Sequence, residues 1–365
     1  MREIGVAIVG CGVVVRRHHL PAFTRNPRAN VVALCDPDPE AVATIRQRFG
    51  LNCRGYDDFE DILRDPAVGA VSICTPSFTH YEYARRAISA GKHVLLEKPP
   101  VYREEQALEL ISLANLRDVK LGVVFNYRYR DLVEKVVAAR EQGLLGQIVK
   151  LQIIHHANLV YSESPWVWDE RKSKYLLYEF GIHFLDLMVH LCGEHQEIVS
   201  VVSTRQESVQ TTTDLQAVIR FKSGALGLLD LTQDSTRHSS YFTHVYAYGT
   251  GMDAFVRFFP PLVSFAAGMD SPQNYLIREF KALSRFARLL LTGKFLSHRN
   301  HAHQRVIDMY LAWLTDGIPY PLTMERALPT IRLLNDLEQH IPAYAAASGA
   351  VAKAGEMVGS AEART

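Results

Sequence analysis

Glu179, His183, Asp186 and His190 interrupt a run that is otherwise apolar, among Leu176, Leu177, Phe180, Ile182, Phe184, Leu185, Leu187 and Met188. Their spacing of four, three and four puts all of them on one face of a helix with 3.6 residues per turn. Such a stripe suits two kinds of chemistry. An imidazole titrates near neutrality, so His183 can exchange a proton with a hydroxyl, and Glu179 can orient that imidazole or hold a substrate hydroxyl. Two histidines and two carboxylates are also a plausible zinc set. His183 and His190, however, would lie about 10 Å apart along the helix, too far for one ion, so no metal is assigned. A histidine with an acid four residues before it can also be a satisfied buried pair and nothing more. Asp186 is read as a structural hydrogen-bonding group at a domain junction, and His190 as a structural residue.

The chain that must position these groups has 365 residues, too many for one ordinary core, so two domains are expected. Hydrophobic content of 48% and charged content of 22% fit a folded globular protein. A net charge of +1 gives no reason to expect a nucleic-acid partner. Five scattered cysteines form no CxxC pair and read as reduced thiols in a cytoplasmic protein. The start, "MREIGVAIVGCG", lacks the long apolar core of a signal peptide, and no apolar stretch approaches the roughly 20 residues that span a bilayer.

The first part alternates short apolar runs with helical segments. Runs at Ile4 to Val9, Val31 to Cys35, Ala70 to Cys74, His93 to Leu96 and Leu121 to Phe125 flank helices such as Pro39 to Phe49, Thr79 to Ala90 and Glu104 to Asn115. This order implies a doubly wound parallel sheet. Gly10 and Gly12 follow the first run, where one glycine allows a tight turn and the other lets a pyrophosphate approach the backbone. Val15 stands at the third glycine position, so the helix is expected to shift there. Asp36 ends the second run, where a carboxylate accepts hydrogen bonds from the adenosine ribose hydroxyls and repels a 2′-phosphate. NAD is therefore favoured over NADP, and a turn residue before Pro37 is the alternative for Asp36. Lys98 falls at the carboxyl end of a parallel strand, at the crevice where such sheets bind ligands. Its ammonium could stabilise a developing alkoxide.

The stretch "CTPSFTHYEYARRAISAGKHVLLEKPP", residues 74 to 100, resembles the Gfo/Idh/MocA family of NAD(P)-dependent oxidoreductases. The resemblance rests on Thr75-Pro76, His80, Gly91 to Val94 and Glu97-Lys98-Pro99, with "GCG", "HLPAF", "FNYRYR" and "YGTGM" around them. It implies a Rossmann domain over 1–126 and a substrate-binding and oligomerising α+β domain over 127–342, with a large, mostly antiparallel sheet. Residues 343–365 are expected to form a flexible tail. It further implies that Gly10, Gly12, Val13, Val14, Asp36, Thr75, Pro76, His80, Glu97, Lys98 and Asn126 hold the cofactor. Lys98, Arg128, Trp166, Glu179 and His183 would meet the substrate, and Lys98, His183 and Glu179 would be catalytic. The family's motif has aspartate where Glu179 stands, so the extra methylene puts that group's reach in question.

The second half suits the same fold. A helix over Asp131 to Gln142 precedes long runs at Ile148 to Ala157, Ile198 to Arg205, Thr213 to Phe221, Ala225 to Thr232 and Thr243 to Tyr248, with a "KSG" hairpin between two of them. His155 and His156, adjacent on a strand, should point to opposite faces. Tyr161, Trp166 and Trp168 could stack on a sugar ring or simply pack. Residues 277–295 form a basic amphipathic helix, read as a structural helix packed on the sheet, with contact to an anionic membrane as the other reading. The expected activity is NAD-dependent interconversion of hydroxyl and ketone on a sugar, cyclitol or nucleotide-sugar by a homodimer or homotetramer. The alternatives are an NAD-retaining glycosidase of the same family and a non-catalytic NAD-binding sensor.

Overall fold

The computed structural model describes residues 3–157, 176–205, 212–233, 242–267, 272–292 and 301–341. The apolar runs of the first part become parallel strands β1 (Ile4–Val9), β2 (Ala29–Cys35), β3 (Arg54–Tyr56), β4 (Ala70–Ile73), β5 (His93–Leu96) and β6 (Leu121–Val123). They are ordered β3-β2-β1-β4-β5-β6, so the direction of winding reverses between β1 and β4. Strands buried on both faces read as continuous apolar runs, which is why β1, β4 and β5 were visible in the sequence. The short edge strand β3 has no such run and was missed.

Crossover helices α1 (Leu20–Arg25), α2 (Pro39–Phe49), α3 (Phe59–Arg64), α4 (His80–Ser89) and α5 (Glu104–Arg117) cover this sheet. A π-helical turn, Val15–His19, leads into α1. Val15 is fully buried at its start, so the shift expected from the missing third glycine takes the form of a widened turn.

Helix α6 (Asp131–Glu141) leads to the second sheet. Its strands are β7 (Ile148–His156), β8 (His195–Arg205), β9 (Thr212–Phe221), β10 (Leu226–Thr232), β11 (Phe242–Gly249), β12 (Asp253–Arg257) and β13 (Leu262–Ala266). They are ordered β13-β12-β11-β7-β10-β9-β8, antiparallel except for the β7–β10 pair. The "KSG" hairpin joins β9 to β10, with Gly224 at φ +87°, a conformation that favours glycine. Alternating burial along β9 and β10 shows one face turned to the core, against which helix α7 (Ile182–Cys192) packs.

Helix α8 (Pro272–Leu291) follows β13, and helices α9 (His301–Asp316) and α10 (Met324–His340) close the described chain. The closing segment returns to the first sheet: Val123 N–H donates to the Leu322 carbonyl at 2.8 Å, and Arg332 pairs with Glu104 at 2.7 Å. Residues far apart in sequence thus meet at the carboxyl edge of the parallel strands. Among the described residues, no helix is long and apolar enough to cross a membrane.

The expectation that the basic amphipathic helix packs its apolar stripe on the sheet holds only in part: Phe286 meets Phe259, but much of the stripe faces outward. Ile277, Phe280, Leu283 and Leu291 are all exposed.

Candidate active site

At the end of β1, Gly10 has φ +89°, and a Cβ there would lie 2.7 Å from the Cys74 carbonyl at the end of β4. Only glycine lets these two strands approach so closely at the point where the winding reverses. Gly12 has open space where its Cβ would be, and Val13 beside it is exposed. Val14 follows at the entrance to the π turn. Asp36 lies across from this turn. One carboxylate oxygen accepts the Cys11 N–H at 2.7 Å and the other the Asp38 N–H at 3.0 Å. Two backbone donors fix the carboxylate and leave lone pairs for a diol. An open glycine turn and an anchored acid at adjacent strand ends fit a dinucleotide's pyrophosphate and adenosine ribose.

Thr75 and Pro76 form the loop after β4, and Lys98 lies on the loop after β5, where the Lys98–Pro99 peptide is cis. His80 ties the two loops together: its ring nitrogens lie 2.7 Å from the Pro99 carbonyl and 2.9 Å from the Thr75 carbonyl. Burial lowers its pKa, opposed by those same carbonyls. His80 thus braces the two loops expected to hold the cofactor.

Glu97, also expected against the cofactor, turns inward. It is 4% exposed. One oxygen lies 2.6 Å from His19 Nε2, and the other accepts the Lys98 N–H at 3.0 Å. His19 continues the chain, with Nδ1 2.9 Å from Ser72 Oγ and 3.4 Å from Cys74 Sγ. Burial opposes charge on His19, but Cys74 and Glu97 outweigh it and push its pKa up to about 10. Burial likewise opposes charge on Glu97, yet the hydrogen bond and charge of His19 hold its carboxyl well below the usual carboxylate range. The result is a buried imidazolium–carboxylate pair that fixes the backbone of Lys98.

His303 of α9 completes this cluster, its Nε2 3.7 Å from Glu97 and its ring stacked on His18 at 4.1 Å. His19, Glu97 and His303 converge as a metal set could. The 2.6 Å His19–Glu97 separation is a hydrogen-bond distance, shorter than two ligands of one ion bonded at about 2.0–2.2 Å keep between them. Asn126 donates Nδ2–H to His303 Nδ1 at 3.1 Å, which leaves the proton of neutral His303 on Nε2, facing Glu97. The cluster is a hydrogen-bond network. The buried Asn126 carbonyl oxygen has no hydrogen-bond partner among the described residues.

Lys98 Nζ donates to the Glu179 carbonyl at 2.9 Å and lies 3.4 Å from the Glu179 carboxylate. The other Glu179 oxygen accepts from Ser77 Oγ, which is itself 2.7 Å from the Tyr102 hydroxyl. Glu179 is therefore the counter-ion of Lys98, and its carboxylate bonds go to Lys98 and Ser77 and not to His183. Leu176–Gly181 is a π-helical turn, with more residues per turn than the 3.6 assumed from the sequence. Glu179 itself is drawn to the loops after β4 and β5, where Ser77 and Lys98 take its carboxylate oxygens.

His183, on the first turn of α7, is buried and stacks on Tyr127 with ring centres 4.1 Å apart. The Arg130 guanidinium lies 3.9 Å from the centre of the same tyrosine ring. Burial, then the positive charges of Lys98 and Arg130, push the His183 pKa well below 6.5. Its Nδ1 has no hydrogen-bond partner among the described residues. A neutral imidazole beside a lysine ammonium can accept a proton from a hydroxyl that the lysine polarises. A titration near neutrality, expected from the unperturbed residue, is not what this environment provides.

Arg128 makes two hydrogen bonds to Asp186, at 2.8 and 2.5 Å, in a pair that Thr330 joins at 3.2 Å. Asp186 thus makes structural hydrogen bonds, as read for it. His155 faces inward, 2.8 Å from Thr243 Oγ1 and 4.8 Å from the Phe184 ring centre, while His156 is half-buried near Asp230 at 3.5 Å. Tyr161, Trp166 and Trp168 lie outside the described residues. The sequence reading missed His19 as a partner of Glu97, and it missed Ser77, Tyr127, Arg130 and His303. The "HLPAF" and "FNYRYR" motifs contained three of these without revealing their partners.

Residues 4–125 match the family model described as "Oxidoreductase family, NAD-binding Rossmann fold", and residues 133–251 match "GFO/IDH/MocA C-terminal domain". An uncharacterized oxidoreductase of Synechocystis is 33% identical over 207 residues, 55% of this chain and 54% of that protein. The chain thus spans about half the length of that relative. A levoglucosan dehydrogenase of Pseudarthrobacter phenanthrenivorans is 25% identical over 277 residues, 67% of this chain and 71% of its own. The WlbA dehydrogenase from Bordetella pertussis, solved in complex with NADH and UDP-GlcNAcA, has the same fold, with a TM-score of 0.79 at 21% identity over 93% of this chain and 95% of that one.

Proposed function

The chain belongs to the Gfo/Idh/MocA oxidoreductase family, and from that premise we propose that it interconverts a secondary hydroxyl and a ketone on a sugar, cyclitol or nucleotide-linked sugar. NAD, held by Gly10, Gly12, Val13, Val14, Asp36 and the Thr75-Pro76 loop, supplies the hydride acceptor. In the oxidative direction His183 receives the hydroxyl proton, Lys98 stabilises the oxygen as it gains alkoxide character, and Glu179 holds the lysine in place. The observation that carries this reading is the buried His183 imidazole, stacked on Tyr127 with its Nδ1 unpartnered among the described residues, together with the Lys98 ammonium held by Glu179. The names of the relatives support a carbohydrate substrate: one acts on levoglucosan and another was solved with a nucleotide sugar.

The same proposal places the protein in the cytoplasm, in keeping with its five free, buried cysteines. It also includes a homodimer or homotetramer formed through the second sheet, where Val199 and Val202 of β8 are exposed.

The test is spectrophotometric. Purified protein is given NAD or NADP with a panel of sugars, cyclitols and nucleotide sugars, and reduced cofactor is followed. NADH should accumulate with at least one of them, and more slowly with NADP. Release of a glycosidic leaving group without NADH would favour the NAD-retaining glycosidase. Cofactor binding with no turnover of any kind would favour the sensor.

A further inference from the structure

Helix α8 turns five large apolar residues outward. Leu276, Ile277, Phe280, Leu283 and Leu291 are 66, 50, 75, 53 and 88% exposed. At 3.6 residues per turn these five lie within about 60° of Phe280, so they form one stripe about 22 Å long. A different side of the helix holds it to the protein. Glu279 pairs with Arg257 of β12 at 2.9 Å, and Phe286 meets Phe259 with ring centres 5.2 Å apart. A helix that only covers the sheet would have the reverse pattern, with its apolar stripe inward. A continuous exposed stripe of this kind marks an interaction surface.

Charge decides what that surface meets. The helix sequence contains Arg278, Lys281, Arg285 and Arg288 against a single acid, Glu279, which is already paired. The cations recur at intervals of three and four, the spacing that gathers residues along one side of a helix. A second copy on this stripe would bring two sets of like charges together. A bilayer rich in anionic headgroups accepts both features, with apolar side chains at the acyl boundary and cations at the phosphates. We propose that α8 is an interfacial helix that seats the protein on an anionic lipid surface, lying in its plane without crossing it. This leaves the reaction at the sheet edge unchanged and gives it a location, beside substrates that are themselves lipid-linked or handed over at the membrane.

The experiment is co-sedimentation of the full chain with vesicles of phosphatidylcholine alone or mixed with phosphatidylglycerol, at low and high salt. Binding to the anionic vesicles at low salt, release at high salt and no binding to neutral vesicles are expected, because screening shortens the reach of the cations. Arg288→Gln should weaken binding about fivefold. The double variant Phe280→Glu, Leu283→Glu should lose it while its unfolding transition matches the parent's. Failure of the parent to sediment with anionic vesicles would overturn the proposal, as would persistent binding by the double variant. If the double variant instead dissociates a lipid-free oligomer of a parent that ignores vesicles, the stripe is a subunit contact.

Discussion

His19 and His183 are both buried imidazoles beside Lys98's machinery, and their surroundings push them in opposite directions. His19 has a carboxylate at 2.6 Å, and with Cys74 this raises its pKa to about 10 despite burial. His183 has an aromatic face, and burial and two cationic neighbours outweigh the opposing charge of Glu97, so its pKa falls well below 6.5. Burial alone therefore does not assign a charge; the nearest partner does. The division also separates tasks. The charged histidine locks Glu97 and so the backbone of Lys98, whereas the neutral one keeps a lone pair for a proton in transit.

The most severe way to break this contrast is Glu97→Gln. Removing one partner of a buried ion pair costs about 3–5 kcal/mol, and denaturant unfolding should show a loss of that size. Unchanged stability would mean that the pair is not ionised. The pH dependence has a defined sign. The stabilisation from His19, with its raised pKa, is complete below pH 6.5 and fades as pH climbs toward 10. That from Glu97, with its depressed pKa, is complete above pH 4.5 and fades in acid.

Asp36→Ser touches neither imidazole and serves as a control. It should reduce the preference for NAD over NADP by roughly 10- to 100-fold, the worth of a hydrogen bond to a charged group, without altering the pH profile. Titration of both cofactors by tryptophan fluorescence checks the first part. The pH profile sharpens the contrast further. NADH formation should be level through neutrality and decline only when pH drops well below 6.5, as His183 becomes protonated. Arg130→Gln removes one of the cations that depress His183, so the acid limb should move upward toward 6.5. A limb that stays in place would show that Arg130 does not act on His183. Glu179→Asp should have the smallest effect, a modest loss in turnover, because the shorter acid still carries the charge opposite Lys98.

Much of this was legible in the sequence, and what was not has identifiable reasons. Apolar runs revealed β1, β2, β4 and β5, and the glycine turn, Asp36 and the Glu97-Lys98-Pro99 motif stand at the ends of β1, β2 and β5. The edge strand at Arg54 to Tyr56 had no apolar signal to find. The period puts Glu179 on the side of His183, but its carboxylate partners, Ser77 and Lys98, come from remote loops that no local spacing announces. Glu97 and Arg128 carry charges whose partners, His19 and Asp186, come from remote segments, and no local spacing announces such pairs. His303 entered the site from the closing helices in the same way. The stripe on α8 was visible as a period, but a period does not say which side faces water.

The central claim is that His183 accepts the substrate proton. It is tested most directly by single-turnover NADH formation in the parent and in His183→Ala, both loaded with NAD at neutral pH. The variant should bind NAD as the parent does and form NADH about 10² to 10⁴ times more slowly, the usual worth of general acid–base catalysis. NADH formation by His183→Ala at the parent's rate would contradict the claim and leave the Tyr127–His183 stack a packing contact.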